Sequence, residues 1–305
     1  MNHLLTTEGL ERSRIESYLD DAAAFGEVLR RPIPKVPALR GKTVATLFFE
    51  PSTRTRMSFE KAAKALSADT MSFSPDTSAL HKGEGLKDTV LTIEAMGLDL
   101  MVVRHQATGA PWRVAEWASV PVVNGGDGCH QHPTQALLDC LTLRQRFGKL
   151  DGLRIAIVGD IRHSRVARSN IHAMTALGAE VTLVAPPTLL PLHTEGWPVT
   201  TTSDLDDALG ELDAVYLLRV QAERGGASVF PSFAEYRRRF GMTRDRLRRL
   251  SPEAVVLHPG PMIRGIEIDA EVADDPRALV LDQVTNGVAV RMAVLYQLLG
   301  GDHVG

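Results

Sequence analysis

The 305-residue sequence lacks the features that mark several large classes of protein. No apolar run approaches the roughly 18 residues that a membrane-spanning helix needs. Two cysteines are too few for a disulfide framework or a four-cysteine metal site. The 34 Lys and Arg residues are offset by 37 Asp and Glu residues, which excludes a polybasic nucleic-acid binder. Residues 1–22 are acidic and have no signal-peptide core, so we predict a cytoplasmic protein that binds neither membrane nor nucleic acid.

Several cofactor motifs are missing as well. The chain has no G-x-G-x-x-G dinucleotide loop and no G-x-x-x-x-G-K-[ST] phosphate loop. It also has no set of His, Cys, Asp and Glu residues at zinc-like spacing, and no G-x-S-x-G nucleophile elbow. The residues alone therefore argue against nucleotide binding and against a metal site.

The residues that are present follow an α/β pattern. Short apolar runs alternate with amphipathic, helix-like stretches, and the runs are Thr43–Phe49, Leu98–Val103, Val120–Val123, Leu153–Val158, Glu180–Ala185, Ala214–Leu218 and Ala254–Leu257. Such continuous runs are typical of parallel strands that are buried on both faces. The pattern predicts two similar domains, each a parallel β-sheet flanked by helices.

The domain boundaries are predicted from composition. Residues 145–152 are polar and contain two glycines, so we place the first domain at 1–150 and the second at 151–285. The apolar C-terminal segment, residues 286–305, is predicted to form a helix that packs back on the first domain.

Polar segments follow most of the apolar runs. EPSTRTR follows Phe49, Arg104 follows Val103 and NGGDGCHQHPTQ follows Val123. In the second half, the segments GDIRHSR, RVQAER and HPGPMIRG each follow an apolar run. Because ligands bind beyond the carboxyl ends of parallel strands, these segments predict one active site in a cleft between the two domains.

The segment from Glu50 to Arg56 is a candidate anion site. It leads from a predicted strand into a predicted helix, so the N–H groups of the first turn and the helix dipole face the strand end. Its hydroxyls and arginines add donors for a tetrahedral anion. The alternative is an ordinary Ser/Thr N-cap with arginines that face the solvent.

Three further positions stay open on the residues alone. Arg162 and Arg165 can together hold a carboxylate or form only surface salt bridges. His132, with Gln135 one turn later, is either a neutral donor in the site or a structural histidine. Lys82 lies in a Ser-, Gly- and Lys-rich segment that is either a surface loop or, in an oligomer, a source of a cation for a neighbouring subunit.

Four segments together resemble the aspartate/ornithine carbamoyltransferase family, namely FEPSTRTRMSF at Phe49–Phe59, HPTQALLD at His132–Asp139, RVQAER at Arg219–Arg224 and HPGP at His258–Pro261. The resemblance covers essentially the whole chain. S-T-R-T-R with H-P-x-Q marks the wider family, and R-V-Q-x-E-R with H-P-G-P marks its aspartate branch. It implies cofactor-free transfer of a carbamoyl group from carbamoyl phosphate to L-aspartate, the second step of pyrimidine (UMP) biosynthesis.

The resemblance also implies roles on the carbamoyl-phosphate side. The phosphate would bind to four consecutive residues, Ser52, Thr53, Arg54 and Thr55. Arg104 would contact phosphate and carbonyl, while His132 and Gln135 would hold the carbamoyl group. The backbone at Gly260 and Pro261 would accept from the carbamoyl amide. The residues implied in catalysis itself are Arg54, Thr55, Arg104, His132, Gln135 and Lys82.

On the aspartate side, the resemblance implies that Arg165 and Arg219 bind the two carboxylates, with Gln221 near the amine. Lys82, with Ser78 beside it, would come from the neighbouring subunit of a homotrimer. The trimer would work alone or join regulatory chains or another pyrimidine enzyme.

The last role that the resemblance implies concerns the closure of the two domains. Glu50 would pair with Arg165 and Arg224 when the two domains close.

Two other functions compete with this interpretation. One is a carbamoyltransferase with another acceptor such as ornithine. The sequence pattern of the ornithine enzymes has a cysteine in the loop that corresponds to HPGP. Here both cysteines lie around HPTQ instead, and two carboxylate-binding arginines favour a dicarboxylic acceptor. The other is a catalytically silent subunit that serves assembly, which has no use for so many costly polar groups.

Overall fold

The computed structural model describes residues 2–73, 85–220 and 232–300. The helices are α1 (Arg12–Leu29), α2 (Thr53–Ala65), α3 (Leu86–Glu94), α4 (Ala110–Trp117), α5 (Pro133–Phe147), α6 (Arg165–Ala176), α7 (Leu205–Ala208), α8 (Phe233–Phe240), α9 (Arg244–Arg249), α10 (Ala270–Ala273) and α11 (Val280–Leu298). The strands are β1 (Thr43–Phe48), β2 (Asp69–Phe73), β3 (Leu100–His105), β4 (Val122–Asp127), β5 (Arg154–Val158), β6 (Glu180–Val184), β7 (Val199–Thr202), β8 (Ala214–Leu217) and β9 (Val255–Leu257). The chain divides into two compact units, Met1–Leu141 with Thr285–Gly305, and Thr142–Val284.

The first unit is built on a four-stranded sheet in the order β2-β1-β3-β4. Its strand pairs are parallel. Leu47 of β1 and Met101 of β3 share a buried cluster with Val90 of α3 and Val114 of α4. Burial of this apolar surface, at about 25 cal/mol per Å², is the main force that fixes these helices on the sheet.

The second unit is built on a five-stranded sheet in the order β7-β6-β5-β8-β9. Its strand pairs are also parallel, and the central strand β5 is buried along Ile155–Val158. The predicted fold class, two α/β units that each carry a parallel sheet, is therefore confirmed.

Strand β4 is longer than its apolar run. The sequence predicts a strand that ends at Val123, but β4 continues to Asp127 and is buried throughout. The extension is possible because two polar side chains satisfy each other, with Asn124 Nδ2 donating to Asp127 Oδ1 over 2.8 Å. Gly125 fits the crowded sheet, since an added Cβ would lie 3.3 Å from Val102 Cγ1.

The C-terminal part of α11 contacts α1 within the first unit. Gln297 Nε2 donates to Ser17 Oγ over 2.9 Å and to Asp21 Oδ2 over 2.5 Å. The rings of Phe25 and Tyr296 meet edge to face with 5.6 Å between their centroids. Within the described ranges, none of the helices combines the length and apolar character needed to cross a lipid bilayer.

Candidate active site

The start of α2 follows β1 closely and presents the predicted phosphate-binding residues. Ser52 occupies the N-cap position, but its side chain makes no capping hydrogen bond. Ser52 therefore lacks the capping bond of an ordinary N-cap, and its hydroxyl is not occupied by the helix. Thr53 and Arg54 are exposed, while Thr55 is buried. The N–H groups of this first turn have no partner within the helix, which suits them to an anion.

Arg104, which is also predicted to contact the phosphate, is held by a carboxylate. Its Nη2 donates to Glu50 Oε1 over 2.9 Å, and both side chains are largely buried. Its Nη1 donates to the carbonyl of Gly125 over 3.2 Å. The backbone N–H of Phe49 donates to the Arg104 carbonyl over 2.8 Å, so the ends of β1 and β3 lie side by side. The structure thus brings Arg104 to the segment that leads into α2.

His132 and Gln135 lie at the start of α5, and both are buried. Gln135 Nε2 donates to Asp139 Oδ1 over 3.0 Å, and Asp139 is itself completely buried. Because Asp139 follows Gln135 by one helical turn, the carboxylate fixes the orientation of the carboxamide. Pro133 begins the helix as the sequence predicts.

Asp127 connects the segments that carry Arg104 and His132, and the sequence did not single it out. Its Oδ2 accepts from the Gly109 N–H over 2.8 Å, and its Oδ1 accepts from the Gln131 N–H over 3.0 Å. These bonds join the loop after β3 to the loop before α5. The available signal was an acidic residue inside a glycine-rich segment, NGGDG, just before H-P-x-Q.

The same two loops approach each other closely at Gly128. Its φ is +45°, and an added Cβ would lie 2.9 Å from the backbone nitrogen of Thr108. A side chain at this position would push the loops apart, so glycine is required here.

In the second unit, Arg165 is the first residue of α6 and is buried. The helix is capped by Ser164, whose hydroxyl accepts from the Ala167 N–H over 3.0 Å. Asp160 fixes the preceding turn, because it accepts from the His163 N–H over 3.2 Å and contacts His163 Nδ1 over 2.9 Å. Arg219 is half-buried and lies two residues after the end of β8.

The HPGP segment follows β9 and is held by a buried carboxylate. His258 and Glu267 are almost completely buried, with 3.3 Å between His258 Nε2 and Glu267 Oε1. Gly260 N–H donates to His258 Nδ1 over 2.7 Å, and Ile263 N–H donates to Glu267 Oε1 over 2.5 Å. The imidazole therefore accepts at Nδ1 and donates at Nε2. Gly260 has a φ of +62°, the left-handed conformation that favours glycine.

Tyr236 of α8 lies near two of these segments. Burial raises the pKa of Tyr236, and the charges of Glu267 and Asp160 raise it further. An added Cβ at Gly159 would lie 2.8 Å from the Tyr236 hydroxyl. The ring thus occupies space beside the turn that precedes α6.

Four predicted residues lie outside the described residues, and these are Ser78, Lys82, Gln221 and Arg224. Their roles stay predictions, as does the pairing of Glu50 on domain closure.

Comparison with known families matches nearly the whole chain. The model described as "Aspartate/ornithine carbamoyltransferase, carbamoyl-P binding domain" matches residues 2–145. The model described as "Aspartate/ornithine carbamoyltransferase, Asp/Orn binding domain" matches residues 151–298. The chain belongs to the aspartate/ornithine carbamoyltransferase family, which confirms the resemblance seen in the sequence.

Similar chains come from the aspartate branch of that family. The aspartate carbamoyltransferase catalytic subunit of Thermobifida fusca (strain YX) is 58% identical over 301 residues, covering 99% of this chain and 96% of that relative. Aspartate transcarbamoylase from Trypanosoma cruzi, solved with carbamoyl phosphate, superposes with a TM-score of 0.89 at 29% identity, over 97% of this chain and 96% of that one. The M. jannaschii catalytic subunit gives a TM-score of 0.85 at 35% identity over 98% of both chains.

Proposed function

We propose that this chain catalyses one reaction and that each of its two units binds one of the two substrates. The reaction is the transfer of the carbamoyl group from carbamoyl phosphate to the amine of L-aspartate, which gives N-carbamoyl-L-aspartate and phosphate. The T. cruzi enzyme has been solved with carbamoyl aspartate and phosphate together, at a TM-score of 0.89 and 29% identity over 97% of this chain. Its fold is that of the chain described above.

Carbamoyl phosphate binds to the first unit in this proposal. The phosphate takes the first-turn N–H groups of α2 with the side chains of Ser52–Thr55. The observation that carries this assignment is the uncapped Ser52 hydroxyl at an exposed helix start, next to the Glu50–Arg104 pair at the end of β1. The helix dipole and the Arg54 guanidinium both favour a dianion there.

The chemical step follows from these positions. The neutral amine of aspartate attacks the carbonyl carbon, and the carbonyl oxygen gains negative charge. The C–O bond to phosphate then breaks, its electron pair leaves with the phosphate, and the surplus proton of the amine passes to that phosphate. His132 donates to that oxygen, Gln135 and the backbone at Gly260 and Pro261 hold the carbamoyl amide, and Arg104 offsets the charge. One such preorganised donor is worth about 2.7–4 kcal/mol of barrier, and the alignment of two substrates contributes roughly 7–11 kcal/mol.

Aspartate binds through the second unit. Arg165 and Arg219 take its two carboxylates, and Gln221 lies near its amine. Arg165 supports this role because it is buried at the start of α6, and a guanidinium can bind both oxygens of a carboxylate. Lys82 and Ser78 reach the site from the neighbouring subunit of a homotrimer.

The setting of the reaction is also proposed. We place it in pyrimidine biosynthesis in the cytoplasm. Cys129 and Cys140 are both free thiols, which suits a reducing compartment.

Phosphate release with two acceptors tests the proposal. The purified protein is mixed with carbamoyl phosphate and either L-aspartate or L-ornithine, and phosphate is measured. We expect release with aspartate alone. Release with ornithine would overturn the roles of Arg165 and Arg219 but keep the phosphate site, and no release with either acceptor would support the silent subunit.

A further inference from the structure

Arg291 of α11 is a buried cation that none of the roles above uses. Its side chain is 4% exposed. Nη1 donates to Ser58 Oγ over 2.7 Å and to the Gly287 carbonyl over 3.2 Å, and the guanidinium carbon lies 5.0 Å from the ring centre of Phe59. Its Nε is buried without a hydrogen-bond partner. Within the part of the chain that the structure describes, Arg291 forms no ion pair with a carboxylate.

This environment is unfavourable for a positive charge. Burial, followed by the charge of Arg104, lowers the pKa of Arg291 to about 10, while the charge of Asp139 acts in the opposite direction. A buried charge without a paired carboxylate destabilises a fold. An apolar side chain of similar size would fill the space at lower cost.

The elements around Arg291 are those that carry the predicted phosphate and carbamoyl ligands. Ser58 and Phe59 lie on α2, one to two turns after the predicted phosphate-binding residues. Arg104 stands at the end of β3, and Asp139 is the carboxylate that orients Gln135. A charge at this position therefore contributes to the electrostatic potential at the predicted phosphate site.

We propose that Arg291 is a positioning residue for carbamoyl phosphate, whose charge adds to the positive potential at the start of α2 and whose hydrogen bond to Ser58 holds that helix in place. The inference rests on the proposed phosphate site. The proposed role has two parts, the charge and the hydrogen bond, and each part can be removed by a different variant.

Binding of inorganic phosphate to the intact protein, measured by calorimetry, tests the charge. Arg291→Met and Arg291→Gln both remove it, and each is expected to weaken phosphate binding about tenfold, because a unit charge in a medium of effective dielectric about 20 still attracts an anion that it does not contact. Ser58→Ala removes only the hydrogen bond and Arg291→Lys keeps a cation, so both should stay within about threefold of the unaltered protein. The two neutral variants guard against one of them failing to fold.

A second readout distinguishes this role from simple packing. Arg291→Met should melt at the same temperature or higher, because the cost of burying the charge is gone, while KM for carbamoyl phosphate rises more than KM for aspartate. Phosphate affinity within twofold of the unaltered protein in both neutral variants would overturn the inference.

Arg54→Ala shows which proposal has failed. If Arg54→Ala loses phosphate while the neutral Arg291 variants keep it, only the role of Arg291 is wrong. If Arg54→Ala binds phosphate normally, the phosphate site itself is wrong.

Discussion

The two units use buried carboxylates in different ways. In the first unit, Glu50 and Asp139 contact predicted substrate-binding side chains directly, as acceptors for Arg104 and Gln135. In the second unit, Asp160 and Glu267 contact histidines and backbone N–H groups instead. The first arrangement orients side chains, whereas the second fixes the course of loops. Loss of a pair should therefore affect turnover first in one unit and stability first in the other.

Arg104→Ala should have the largest effect. It removes the proposed donor to the reacting carbonyl and phosphate, which predicts a decrease in kcat of about 10²–10³-fold. It also breaks the ion pair of the largely buried Glu50 with Arg104, so the melting temperature should fall as well. Both are measured on the purified variant, by initial rates of carbamoyl aspartate formation and by thermal unfolding.

Arg113→Ala is the matched control for this variant. Arg113 pairs with Glu116 over 2.7 Å, but both side chains are more than half exposed, and exposed pairs contribute about 0–1 kcal/mol. We expect no change in kcat. An equal loss of activity in both variants would mean that the position of the Glu50–Arg104 pair has no special importance.

Glu267→Gln should have an intermediate effect, and mainly on stability. His258 Nε2 and the Ile263 N–H both bind Oε1, which a glutamine keeps. The new NH2 group takes the place of Oε2, which is buried with no hydrogen-bond partner in the described structure, so a buried donor stays unsatisfied, at a cost of about 1–3 kcal/mol. Urea unfolding of the two proteins at neutral pH measures this difference. A variant that keeps its stability but loses turnover would contradict the distinction between the two units.

Much of the fold could be predicted because most strands are continuous apolar runs. Strand β7, with the sequence VTTT, is the exception among the strands of the second sheet. It lies at the sheet edge and is half-exposed, so burial imposes no apolar pattern on it. Strand β4 shows the opposite case, since its last residues are polar yet buried.

The candidate site could be predicted where its residues stand in local motifs. Ser52–Thr55 and His132 precede or open helices, and that position is visible in the sequence. Asp127, Glu267 and Arg291 were not singled out because their importance depends on partners brought together by folding. Ser58 and Arg291, for example, are 233 residues apart in the chain. No spacing rule connects residues at that distance.

Asp206→Asn should have the smallest effect and no effect on activity. Asp206 accepts from Arg246 Nη2 over 2.6 Å, and it also pairs with Arg249. In the described part of the chain it contacts none of the predicted site residues, so this second-unit carboxylate should affect stability alone. Because Asp206 is 41% exposed, solvent screens the pair, and we expect a loss of only about 0.2–1 kcal/mol at neutral pH.

The pH dependence of that loss can be predicted with its sign. The hydrogen bond from Arg246 lowers the pKa of Asp206 below its ordinary value of 3.8. A carboxyl with a lower pKa in the folded state stabilises the fold above the unfolded pKa, and the contribution disappears as pH falls through the folded pKa. Urea unfolding at neutral pH and at about pH 2 should thus show a difference between Asp206→Asn and the unaltered protein that shrinks in acid. A constant difference would mean that the geometry of the carboxylate, and not its charge, stabilises this part of the second unit.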